Sequence, residues 1–160
     1  MRSLLCVFLA WMAATSAAGC TPNAAPSGAG GVAPAAGAPV LLVDLSLGAH
    51  PPVDSTLGVV AGYAPNPATV AVGTEIVFHN GESFAHTASA IAGSSFPAAS
   101  PFAAAALQGS GARLSDAGWS TGTLQPGASS QPVLADTPGV YLYGCFYHYG
   151  TPMRGAVVVR

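Results

Sequence analysis

The sequence predicts an all-β protein, a β-sandwich over residues 40–160. Three observations point there. Short apolar runs recur between Gly- and Pro-rich turns. Several runs alternate apolar with polar residues at the period of a strand. No helical pattern of apolar residues runs far; the Ala-rich stretch from Ser100 to Leu107 has room for a helical turn or two.

Taken in order, Val40 to Leu47 alternates around Asp44 and Ser46. Ala68 to Val72, Gly73, Glu75 to His79 and Asn80-Gly81 read as strand, turn, strand, turn. His86 to Ile91 is a further strand. Gln131 to Leu134 leads through Thr137-Pro138-Gly139 into Val140 to Cys145, and Gly155 to Val159 closes the domain. Within the run ending at Cys145, alternation puts Tyr141, Tyr143 and Cys145 on one face. Two large aromatics mark that face as the core, so the sulfur is dry and meets side chains from another strand.

Upstream of the sandwich the composition changes. Arg2, the apolar run Leu4 to Ala14 and the small residues Ala17-Ala18-Gly19 read as an export signal over 1–19, too short to span a bilayer. The segment resembles a bacterial lipobox, with Ala17 where Leu is usual; cleavage there lipidates Cys20. Ordinary cleavage near Ala18 is the alternative. Residues 20–39 are mostly Ala, Gly, Pro, Ser and Asn and read as a flexible tether. The mature protein is therefore expected to be exported, periplasmic or at the cell surface, and anchored through lipid on Cys20.

Of the 160 residues only 6% are charged, the formal net charge is −2 and no basic run exists, so nucleic-acid binding has no electrostatic support. No carboxylate pair or nucleophile motif points to an enzyme. Of the three cysteines, Cys6 lies in the signal and Cys20 at the lipidation position. That leaves Cys145 without a partner, unless it is a buried small hydrophobe or pairs with an unlipidated Cys20.

Ligation of a metal explains Cys145 better. In Cys145-Phe-Tyr-His148-Tyr-Gly-Thr-Pro-Met153, a thiol, an imidazole and a thioether follow one another at Cys-x2-His-x4-Met spacing, and His86 lies far upstream. Two histidines and a cysteine with a weak axial methionine form a blue-copper electron-transfer site. Soft sulfur stabilises Cu(I) and imidazole suits Cu(II), so a mixed site accepts both. The predicted metal ligands are His86, Cys145, His148 and Met153, around one type 1 copper ion. Of the other histidines, His79 is expected at the surface and His50 in solvent. Trp119 is expected in the core. Tyr149, Gly150 and Pro152 either shape the loop or form a neutral docking rim beside His148.

These blocks resemble the plastocyanin/pseudoazurin group of cupredoxins. The resemblance covers most of 57–160: Tyr63 through Asn80, then Phe84-Ala-His86, then Pro138 through His148 and on from Met153 to Val159. It implies a Greek-key sandwich holding one copper ion. The implied role is a monomeric shuttle of single electrons between redox partner proteins. A copper-delivery protein on the same fold is the alternative. Three positions depart from the group. Tyr147 stands where Pro often precedes the second histidine. Gly144 stands where the photosynthetic members carry Tyr before the cysteine, and no acidic cluster accompanies it. Thr87 follows the first histidine where Asn is frequent, and its hydroxyl is expected to tie the two ligand segments together.

Overall fold

The computed structural model describes residues 37–160. The export signal expected over 1–19, Cys20 and the expected tether as far as residue 36 lie outside the described residues. No helix among the described residues is long and apolar enough to cross a membrane.

The described residues form twelve strands: β1 Val40–Leu45, β2 Val53–Ser55, β3 Gly58–Val60, β4 Tyr63–Ala64, β5 Ala68–Val70, β6 Glu75–Asn80, β7 Ser89–Ile91, β8 Gly109–Ser110, β9 Ser120–Thr121, β10 Val133–Leu134, β11 Gly139–Gly144 and β12 Arg154–Val159. One sheet has the order β10-β6-β1-β4, the other β5-β12-β11-β7-β9-β8, and β2 and β3 form a separate hairpin. Neighbours in space are often distant in sequence. β1 runs parallel to β6 and β5 parallel to β12, while β11 and β12 pair antiparallel from Gly139↔Val159 to Gly144↔Arg154. This is the all-β sandwich expected from the alternating runs.

The sheets meet face to face over one apolar core. Val43, Leu45, Ile76 and Phe78 come from the first sheet, and Tyr143, Val157 and Val159 from the second. On β1 the alternate residues Val40 and Leu42 face outward, as the strand period requires. The six-stranded sheet is covered on its other face too. There Ile91, Leu142, Tyr149 and Ala156 pack with Leu57, Phe96 and Phe102. Leu142 and Tyr143 are therefore both buried although they point to opposite faces.

Some elements differ from expectation. The strand expected from His86 begins only at Ser89. His86 instead makes a lone bridge, exchanging N–H and C=O bonds with Leu124 at 3.1 and 2.8 Å. The Ala-rich stretch condenses to one 3₁₀ turn, Ala104–Leu107. His50, expected in solvent, is half-buried, and its Nε2 lies 2.7 Å from Asp44 Oδ2. His79 bonds Ser129 through Nδ1 at 3.0 Å on an exposed stretch, and Trp119 is buried in the core.

Candidate metal centre

Two separate segments meet at one end of the sandwich. The bridge to Leu124 fixes the backbone of His86. Cys145 follows β11 directly, and its N–H donates to the Met153 carbonyl at 3.0 Å. Between them the chain turns around a single acceptor. The His148 carbonyl receives N–H bonds from Thr151 at 3.0 Å and Met153 at 3.1 Å, and the Thr151 hydroxyl at 2.8 Å. That knot of bonds holds the short loop in one shape and turns the His148 ring toward the cysteine.

The side chains converge. Cys145 Sγ lies 3.7 Å from His86 Nδ1 and 3.6 Å from His148 Nδ1, and the two Nδ1 atoms are 3.2 Å apart. Among the described residues these three form the metal-ligating cluster. His86 and Cys145 are fully buried, and His148 is half-buried. Met153, in the same loop, is also fully buried. Its Cγ rests against Gly62, where an added Cβ would come within 2.6 Å of it and where φ is +73°. Glycine is needed there both for the backbone conformation and for the space.

The Thr87 hydroxyl does tie the segments together. It accepts the Phe146 N–H at 2.9 Å, while the Thr87 N–H points at Cys145 Sγ at 3.4 Å. Burial pushes the Cys145 thiol up, against the opposing pull of N–H groups from Thr87, Tyr147 and His148. Burial, then the neighbouring charge of His86, pulls His148 below its usual value, with Glu82 acting the other way.

Glu82 is the residue that sequence reasoning missed. Its Oε2 lies 2.7 Å from His86 Nε2. An ionised carboxylate only accepts, so Nε2 carries the ring proton. In the neutral ring Nδ1 is then bare and points at the other two donor atoms. With the His148 Nδ1 and the Cys145 sulfur this close to it, the three donor atoms could hold one metal ion among them. Bonds of about 2.0–2.1 Å to nitrogen and about 2.3 Å to sulfur, spread near the trigonal angle, give edges of about 3.3–3.8 Å. The observed triangle is close to this. Two imidazoles, a thiol and a nearby thioether are the donor set of a copper site, and the residues fit that ion.

No protein-family model and no curated protein matches the chain. Solved structures match it at a distance. A purple cupredoxin from Nitrosopumilus maritimus is 21% identical, with 74% of this chain and 98% of that one covered at a TM-score of 0.48. A methionine-to-glutamine mutant of amicyanin in its Cu(I) form is 19% identical, covering 76% and 82% at 0.45. The oxidised state of a proline-to-alanine mutant of amicyanin is 22% identical, covering 79% and 85% at 0.45. Likenesses this distant assign no role, and the donor geometry stands on its own.

Of the two expectations for Tyr149, its surroundings support the shaping of the loop. Tyr149 is only 2% exposed. Its hydroxyl donates to the Pro97 carbonyl at 2.7 Å, and the Arg154 guanidinium lies 4.1 Å from its ring centre. The rim aromatics are instead Phe84, 44% exposed, and Tyr147, 43% exposed. The Phe84 ring centre is 5.0 Å from that of His86 and 5.3 Å from that of His148.

Proposed function

We propose that the chain is an exported type 1 copper protein of the cupredoxin kind. It carries single electrons between partner proteins and does no bond chemistry on a substrate. The observation that supports this is the triangle of His86 Nδ1, Cys145 Sγ and His148 Nδ1, all within 4.8 Å of one another, with His86 and Cys145 buried. Met153, in the same loop, would add a thioether as a weaker donor to the same ion. A copper ion bound there supplies one-electron chemistry between Cu(I) and Cu(II). The protein's part is to hold both states in one geometry. The backbone bonds of His86 and the bonds onto the His148 carbonyl keep the donors in place, and burial of Cys145 keeps water from the sulfur. His148 is the donor residue that reaches the surface, so partners dock over it and the adjoining Phe84 and Tyr147. The leader over 1–19 and lipid on Cys20 keep the domain at a membrane outside the cytoplasm.

Addition of Cu(II) to the purified protein tests this. The wild type acquires the intense visible band of a copper–thiolate bond, and Cys145→Ser folds without it. A Cys145→Ser protein as blue as the wild type would remove the cysteine from the site.

A further inference from the structure

The structure assigns Glu82 the role of a positioning residue. It holds the His86 ring with Nδ1 bare and turned to the metal, and its negative charge strengthens the hold on a divalent ion. This inference rests on the copper reading above only for the identity of the metal.

The assignment comes from how both carboxylate oxygens are used. Oε2 faces His86 Nε2 at 2.7 Å, with the His86 side chain fully buried and that of Glu82 nearly so at 13%. Oε1 faces the other way and accepts from the Gly48 N–H at 2.8 Å and the Ser46 hydroxyl at 3.2 Å. Glu82 is itself fixed, since its N–H donates to Asn80 Oδ1 at 3.0 Å and the Asn80 amide donates to the Phe84 and Leu124 carbonyls at 2.9 Å. One side chain thus joins the turn after β1 to the ring of a predicted ligand. Only a carboxylate can do both, because an amide offers one acceptor oxygen for two opposed sets of donors. A carboxylate on the far nitrogen of a ligating imidazole sets its tautomer and raises its basicity.

The test compares wild type, Glu82→Gln and Glu82→Ala, each checked for native circular dichroism. Metal-free protein labelled with nitrogen-15 reports the His86 tautomer by long-range proton–nitrogen spectra. Zinc, which is redox-silent, reports affinity by competition with a chelator. The wild type is expected to show the proton on Nε2. Both variants are expected to bind zinc about 10–100-fold more weakly, with the single tautomer lost in Glu82→Ala. If Glu82→Ala fails to fold, Glu82→Gln carries the same comparison. Unchanged zinc affinity with an unchanged tautomer overturns the assignment. Copper separates this from the functional reading. If the wild type binds Cu(II) without a blue band while the zinc and tautomer effects hold, Glu82 keeps its role and the type 1 reading falls.

Discussion

Met153 touches the site through a loop that gives it little freedom. Its backbone is bonded to both Cys145 and His148, and its side chain is wedged against Gly62. A thioether beside a copper ion is a weak donor that tunes the metal rather than supplying most of the binding. Met153→Leu is therefore expected to keep copper and to raise the reduction potential, because losing the donor disfavours Cu(II) more than Cu(I). Cyclic voltammetry on the two proteins measures this, and an unchanged or lowered potential argues against axial ligation. At this scale the sequence was informative wherever chemistry is local. Cys145, His148 and Met153 are near neighbours in the chain, and their spacing alone points to a shared ion. His86 was legible through the resemblance of Phe84-Ala-His86 and the strands before it to the cupredoxin pattern. Glu82 was not, although it stands four residues before His86, because that separation signals a contact only in a helix. Here a loop brings the two together. The burial of Tyr149 was equally hidden, since it depends on Pro97, remote from the motif, and on how the Arg154 side chain folds back over the ring.

Among the elements, the β11–β12 pair does most to place the ligands, because Cys145 leaves one strand and Met153 enters the other. Their register puts Tyr143 opposite Gly155. A Cβ at Gly155 would overlap the Tyr143 ring, which is itself packed edge-on to Tyr63 at 4.8 Å and to Phe78 at 5.3 Å. Gly155→Ala is expected to destabilise the fold by about 1–3 kcal/mol, the usual cost of overpacking a filled core. Denaturant titration reads it, and a variant as stable as wild type would mean that the ring moves freely. The longer strands were legible because alternation over six residues leaves little ambiguity. β2, β3, β4, β8 and β9 were not, being two or three residues long and mostly polar or half-exposed. They exist because neighbouring backbone offers partners, which no local pattern encodes. The shortened start of β7 has the same origin. The residues before it spend their backbone bonds on Leu124 and on the Thr121 side chain, outside any continuous ladder.

Over the whole molecule charge is sparse, with a formal net charge of −2. The surface beside His148 carries Phe84, Tyr147, Gly150 and Thr151 and no ionised side chain among them. Electron exchange with a protein partner is therefore expected to vary little with ionic strength, since only exposed charges are screened. Gly150 has open space where a side chain would go. Gly150→Glu should leave the spectrum and potential unchanged and make exchange salt-dependent in stopped-flow measurements. If the rates ignore both the charge and the salt, partners dock elsewhere. The donor triangle also bears on stability. Cys145 and His86 are 59 positions apart in the chain. A metal held between them is a clasp across that span, closing a long loop that an unfolded chain would leave open. Folding and loading are then linked equilibria, and the melting temperature depends on how much free metal surrounds the protein. At a free-ion concentration about a hundredfold above Kd the native state gains about 2.7 kcal/mol, so calorimetry across a metal series should trace a rising melting temperature. The same clasp should slow proteolysis of the loaded form, which makes metal supply a control on how long each copy survives.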